Sequence, residues 1–303
     1  MSGRLAVAGA NGFVGRSLVA LAAGQGWDVV GIVRSEPAAR VVEDAGGRTV
    51  VLGAWDPEPL AAAFVGARAV VHLAQIGAER AGSTYEAANV GGSRLLIEAA
   101  RRAGVGRIVY FSGLGVARYG MSRRCTNRYF LSKLACEVEI YRSGLEAVVF
   151  RPSYILGPGD GLVGGLLAQM AQRRVERPGD GSFRMQPVGV SDAAAAVLAS
   201  LGHATVPVVF DLVGPEPVSF ERLLERLAGV ARRLGRPADF AIREVALGEV
   251  DRRAAEGGYR GLLPDEVDCL LCDEVSDHHP LEQLLGRPLL TLDAALARAA
   301  GGP

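Results

Sequence analysis

The 303-residue sequence predicts a doubly wound α/β fold, in which helices cover both faces of a parallel sheet and a smaller C-terminal lobe interleaves with it. Three observations carry that expectation. Short apolar segments alternate with helical ones through the first half of the chain, the pattern of right-handed βαβ units. A glycine triplet, Gly9-x-x-Gly12-x-x-Gly15, follows the first apolar segment and opens the first helical one. After Arg151-Pro152 the texture changes to loops and helices that leave the sheet and return to it.

The elements follow in order. Leu5–Ala8 reads as a strand, the glycine turn comes next, and Ser17–Ala23 is apolar with helical period. Gly26–Val33 is the second strand and ends at Arg34; Thr49–Leu52 is the third, followed by a helix near Leu60–Val65. Ala69–Ala74 is a strand, Ala87–Ala103 a long helix and Arg107–Phe111 a strand. A helix is expected over Tyr129–Ser143 and a strand over Ala147–Phe150. Gly157–Gly161 and Pro178–Gly181 are turns flanking a helix over Leu162–Arg174. A helix starting near Val188–Asp192 and a strand over Val208–Leu212 return to the sheet, and Gly214-Pro-Glu-Pro217 is a hinge-like break. Helices near Phe220–Leu234 and Leu281–Leu285 complete the chain. The dinucleotide-binding domain would therefore span residues 1–153 plus about 186–213, and the substrate lobe about 154–185 plus 214–303.

Hydrophobic residues make up 49 % of the chain, charged residues 22 %, and the formal net charge is zero. That balance supplies a large core and no bulk attraction to nucleic acid or to a membrane surface. No apolar stretch is long enough for a membrane span, and the N-terminus runs directly into a strand, so a cytoplasmic protein is expected. Oligomeric state is left open. Cys125, Cys136, Cys269 and Cys272 read as reduced, buried thiols, and Cys269-Leu-Leu-Cys272 with His278-His279 is too tightly spaced for common zinc modules. No metal is expected.

The glycine triplet is a dinucleotide fingerprint in its proper context, since it lets the backbone and the positive N-terminus of a helix approach a pyrophosphate. The fold is thus expected to be Rossmann-type. About 20 residues further on, an NAD site usually carries a carboxylate for the ribose 2′-hydroxyl. This chain has Arg34 there, with Ser35 beside it and Arg40 nearby, which suits a 2′-phosphate. NADP(H) is favoured; Glu36 leaves NAD(H) open.

Of 33 basic residues, only Lys133 is a lysine. It stands four residues after Tyr129, on the same helical face, where a phenol beside a fixed ammonium makes a tuned acid/base. Arg118, Arg123, Arg124 and Arg128 crowd the preceding segment, and an anionic group on a small-molecule substrate is one reading of that cluster. His72 lies in an apolar run and reads as a packed histidine, while His203, His278 and His279 form no recognisable constellation.

With these pieces together, the chain resembles the short-chain dehydrogenase/reductase superfamily in its extended and atypical branches, and is similar to NAD-dependent epimerase/dehydratases. The atypical branch includes the NADPH-carrying accessory subunit of respiratory complex I and NmrA-like proteins. The residues carrying the likeness are the three glycines, Val71-His72-Leu73-Ala74, Asn89, Tyr129/Lys133, Glu137, Arg151-Pro152-Ser153, Gly157-Pro158, Gln186-Pro187-Val188 with Asp192, Phe210–Glu216 and Leu284-Leu-Gly286. The resemblance implies that Tyr129 exchanges a proton with a substrate hydroxyl or carbonyl, while Lys133 holds the nicotinamide ribose and depresses the tyrosine pKa. It implies cofactor contacts from Gly9, Asn11, Gly12, Phe13, Val14 and Gly15 at the turn, from Leu73 and Ala74 near the ribose, and from Pro152 and Ser153 at the carboxamide. A serine or threonine usually orients the substrate oxygen. Ser112 is the candidate here, but the extended enzymes place that hydroxyl about two residues later, where this chain has Leu114. An oxidoreductase or epimerase/dehydratase is therefore expected, with a cofactor-binding sensor or assembly factor as the alternative.

Overall fold

The computed structural model describes residues 3–202 and 209–302. His203 and Val208, the first residue of the expected strand Val208–Leu212, lie outside the described residues. The central sheet has seven strands, all parallel: β1 (Arg4–Ala8), β2 (Asp28–Val33), β3 (Arg48–Val51), β4 (Ala67–His72), β5 (Arg107–Phe111), β6 (Glu146–Pro152) and Val209–Leu212. Their spatial order is β3-β2-β1-β4-β5-β6 and then Val209–Leu212. The order reverses between β1 and β4, which leaves a crevice beyond their carboxyl ends.

The strands are short and apolar because both faces are covered. In β1, Leu5 and Val7 join one core with Leu18 and Val19 of α1 (Phe13–Gly24). Ala6 and Ala8 face the opposite core, with Leu60 and Phe64 of α3 (Pro57–Phe64) and Leu96 of α4 (Gly92–Arg102). Between β2 and β3, α2 (Glu36–Asp44) buries Ala39 and Val42 on the α1 side. A third cluster packs Cys136 and Ile140 of α5 (Arg128–Tyr141) on Ile108, Tyr110 and Val149. Each fully buried leucine or phenylalanine contributes about 1.5–3 kcal/mol relative to exposure.

The expected long helix over 87–103 begins as a π-helical turn, Glu86–Gly91, before α4. Asn89 accounts for the widening: its Oδ1 accepts from the Ile76 N–H at 2.9 Å, and its Nδ2 donates to Ile76 O at 3.2 Å and to Ser132 Oγ at 3.1 Å. One amide thereby fastens the loop after β4 to α5. The helix expected to reach Arg174 ends at Ala171, because Arg173 adopts φ 56° and Arg174 starts a strand.

That strand, Arg174–Pro178, pairs in parallel with Ala241–Val245 in the second lobe. The lobe's own core joins Val163, Leu166 and Met170 to Phe220, Leu223 and Leu227. Its helix Phe220–Arg233 carries apolar residues at helical spacing, a Ser219 cap on the Arg222 N–H at 3.1 Å, and Arg232 and Arg233 in the last turn, which complement the helix dipole. The segment His279–Leu285 returns to the sheet and buries Leu281 in the α1-side core. Among the described residues, no helix is long and apolar enough to cross a membrane.

Candidate functional site

At the crevice, β1 turns into α1 with no space for side chains. Gly9 has φ +83°, and a Cβ on it would lie 2.7 Å from the Ala74 backbone nitrogen. A Cβ on Gly15 would lie 2.2 Å from Gly9 O. These approaches set the helix N-terminus directly against the ends of β1 and β4. Gly12 is the N-cap and offers no side-chain cap, so the first N–H groups of α1, on Phe13, Val14 and Gly15, are left for an outside acceptor. This cradle fits the pyrophosphate of a dinucleotide.

A groove of about 580 Å³ extends from the turn and is lined by Gly9, Asn11, Gly12, Arg34, Leu73 and Ala74, among others. Arg34 lies at the end of β2, exposed and, among the described residues, without an ion pair. Ser35 also lines the groove. Phe13 and Val14 face away from it: Val14 packs on the sheet core, and the Phe13 ring lies 5.7 Å from the Arg16 guanidinium.

A second cavity, of about 570 Å³, opens beyond the sheet and brings together Ser112, Tyr129, Pro152 and Ser153. Asn127 caps α5 through the Phe130 N–H at 2.8 Å, which fixes the first turn carrying Tyr129. One turn on, Lys133 is buried, and its Nζ donates to Phe111 O at 3.0 Å. That Nζ lies 5.2 Å from the centre of the Tyr129 ring. Another turn on, Glu137 is fully buried and takes both arms of Arg151, at 2.9 and 2.6 Å, and the Tyr141 hydroxyl at 3.0 Å. This charge-assisted fork locks α5 to β6, and so fixes Tyr129 relative to Pro152 and Ser153.

The electrostatics follow from burial. Desolvation raises the Tyr129 pKa far above its ordinary value, so the phenol holds its proton at neutral pH. Desolvation also lowers Lys133 to about 7, with the nearby Cys136, Cys269 and Glu137 opposing the shift. His72 is pushed down to about 3 by burial and then by the Lys133 charge; its Nε2 meets Ser93 Oγ at 2.9 Å, as befits a packed histidine.

Ser112 lines this cavity with its Oγ unpartnered, whereas Leu114 is buried in a 3₁₀ turn outside the lining. None of the four arginines of the cluster is among the residues lining the cavity. Arg118 donates to Val275 O, Arg123 pairs with Asp251, Arg124 with Asp251 and Asp268, and Arg128 with Glu79. Three of the four thus tie the segment to the second lobe, and the anion site read from the cluster does not form there. All four cysteines are free thiols; Cys125 and Cys272 touch at 3.2 Å, which joins the same two parts. Among the described residues, neither Cys269 nor Cys272 joins the surface group Asp277, His278 and His279.

The second lobe supplies residues that sequence reasoning missed: Glu274, Arg260, Gln169 and an apolar wall of Leu162, Leu166, Leu262 and Leu270. No local pattern marks them, because they meet the site only through packing of the lobe.

Residues 5–212 match the NAD dependent epimerase/dehydratase family. The chain is 32 % identical over 197 residues to a ceramide reductase of Caulobacter vibrioides, 65 % of this chain and 60 % of that protein's length. It is 28 % identical to a 2-alkyl-3-oxoalkanoate reductase of Stenotrophomonas maltophilia over 74 % of each chain. It is also 27 % identical to a mitochondrial NADH dehydrogenase alpha subcomplex subunit 9 of Arabidopsis thaliana, over 79 % of this chain and 64 % of that protein. A UDP-glucuronic acid 4-epimerase from Bacillus cereus, solved with UDP-glucuronic acid and NAD, shares the fold at TM-score 0.75 and 18 % identity, covering 98 % of both chains.

Lys133 makes apo stability depend on pH with a defined sign. Its folded pKa, about 7, lies below the unfolded value, so the penalty for burying the charge is full below pH 7 and fades as pH rises toward the unfolded pKa. Lys133→Met is expected to stabilise the apo protein most at pH 6.5, with the gain shrinking at pH 9.5. Urea unfolding of both proteins at the two pH values checks this; an equal gain at both would show that the ammonium is not desolvated.

Proposed function

The chain belongs to the NAD-dependent epimerase/dehydratase family, and we propose that within it the protein is an NADP(H)-dependent reductase of a ketone on a largely apolar substrate. The observation that carries this reading is the cavity at Tyr129, where Ser112 and Tyr129 bring polar groups to one end and four leucines of the second lobe form the wall. Relatives named as reductases of a ceramide and of a 2-alkyl-3-oxoalkanoate fit such a wall better than a nucleotide sugar does.

When bound, the reduced cofactor supplies hydride to the carbonyl carbon. The chain's part is to hold the carbonyl oxygen and move a proton to it. The Tyr129 phenol, protonated at neutral pH, donates from its Oη to the oxygen as negative charge develops there. Lys133 in its charged form stabilises the resulting phenolate through the field of an ammonium 5.2 Å from the ring. The Ser112 hydroxyl, buried at the lining and unpartnered, would serve as the second donor in place of the hydroxyl absent at Leu114 once the oxygen reaches it. Pro152 and Ser153 would close the nicotinamide end, and Arg34 with Ser35 would receive the 2′-phosphate. Arg151 and Glu137 are positioning residues that hold α5 against β6. The second reading, a cofactor-binding protein without turnover, draws on Leu114 and on the likeness to the NADH dehydrogenase subunit.

NADPH oxidation with a panel of medium-chain ketones tests the reading. Proton transfer by a placed side chain contributes about 10²–10⁴-fold, so Tyr129→Phe should lower kcat/KM by that order while NADPH affinity holds. Tight NADPH binding with no Tyr129-dependent turnover on any ketone would instead establish the second reading. Arg34→Asp should weaken NADPH binding by about 1.5–3 kcal/mol, the scale of a hydrogen bond to a charged group, and leave NADH binding little changed. Titration calorimetry reads both; equal wild-type affinities for the two cofactors would remove the 2′-phosphate assignment.

A further inference from the structure

Glu274 is an acid that the reaction above does not use. It lies on the second lobe, where its N–H donates to Arg184 O at 2.8 Å and a bridge pairs it with Met185. The next residue back, Asp273, is itself strapped to Arg184, accepting from its N–H at 2.7 Å and from its guanidinium. With the backbone held on both counts, the side chain enters the Tyr129 cavity and is only 6 % exposed. Among the described residues it forms no ion pair, whereas a buried carboxylate ordinarily requires one. The neutral Ser153 hydroxyl and Gly115 N–H favour the charged form of its carboxyl but do not outweigh burial.

Resting on the reductase reading, we propose that Glu274 is a substrate-positioning acid whose carboxyl donates a hydrogen bond to a second oxygen of the substrate, beside the carbonyl held by Tyr129. The substrate class is then a dioxygenated ketone: a dicarbonyl, a hydroxyketone or a keto acid derivative. Ser153 and Tyr129, with which Glu274 shares the cavity, place it at its reacting end rather than along the leucine wall. Burial pushes the carboxyl up to about 8, against the Ser153 and Gly115 hydrogen bonds and the Arg118 charge, so it carries its proton at neutral pH. The titratable and charged groups around it are Arg118 from the turn after β5, Tyr129 from α5, Tyr154 beyond β6, and Cys269 and Cys272 from the second lobe, with Arg260 and Glu266 also in the cavity lining. Among the described residues no cation pairs with it: Arg118 is spent on Val275 O, and Arg260, which also lines the cavity, is engaged by Glu176.

The test compares 2,3-hexanedione with 2-hexanone as substrates of the NADPH-loaded wild type, Glu274→Gln and Glu274→Leu. Glutamine keeps an N–H donor and leucine keeps only the volume. The dione-to-monoketone ratio of kcat/KM should fall about tenfold in Glu274→Leu, the scale of one lost hydrogen bond, and stay within about threefold in Glu274→Gln. In the wild type this ratio should also decline as pH rises through about 8, and in Glu274→Gln it should not. An unchanged ratio in Glu274→Leu overturns the proposal. So does a Glu274 carboxyl that titrates near the ordinary glutamate value in carbon-13 NMR of the apo protein, assigned by the Glu274→Gln variant. Loss of all turnover in Tyr129→Phe with the ratio intact in Glu274→Leu would leave the reductase reading standing and remove only Glu274. If the wild type reduces neither ketone, the reductase reading fails, and dione binding decides Glu274: tighter binding to wild type than to Glu274→Leu by calorimetry supports it, and equal binding overturns it.

Discussion

The close approach of three backbone segments governs this molecule. β1, the first turn of α1 and the Leu73-Ala74 end of β4 come together at distances that exclude a Cβ on Gly9 or Gly15. Because β1 and β4 are neighbours at the reversal of the sheet, that contact also creates the crevice. The uncapped N-terminus of α1 points into it, and the groove running past Arg34 continues from it. A single added methyl would force the helix away from the sheet, and with it the element that carries Leu18 and Val19 into the core.

A second constraint is the burial of α5. Lys133 gives up solvent for one carbonyl bond to Phe111 and the faces of Tyr110 and Tyr129. That exchange brings its pKa to about 7, where the ammonium and the amine coexist at neutral pH. Arginine at this position would bring a planar fork in place of a compact ammonium. The Glu137–Arg151 fork, one turn further along the same face, makes the arrangement rigid by clamping α5 to the strand that ends at Pro152 and Ser153. The lone lysine of an arginine-rich chain thus stands buried, one turn from Tyr129.

Much of this was legible in the sequence because local chemistry encodes it. The apolar runs of β1, β2, β4 and β5, the glycine turn and the Tyr129/Lys133 spacing are short-range patterns, and they fix the sheet and the α5 face. The π turn at Asn89 was not legible, since its cause is a contact with Ile76 and Ser132, distant in sequence. The fate of the arginines at 118–128 was hidden for the same reason: their partners Asp251, Asp268 and Val275 lie far along the chain. Glu274 and the leucine wall enter the cavity only when the second lobe folds back, and nothing in Cys272-Asp273-Glu274-Val275 marks a buried acid. Local rules therefore reached the glycine turn and the α5 face, and tertiary packing decided the rest of the Tyr129 cavity.

The most direct measurement is a crystal structure of the protein with NADPH bound. The expected result places the pyrophosphate on the N–H groups after Gly12, the 2′-phosphate against Arg34, and the nicotinamide between Ser153 and Tyr129, with its reactive face open to the leucine-walled cavity. A cofactor bound in the groove with its nicotinamide turned away from Tyr129, or one bound elsewhere, would contradict a single continuous reaction site.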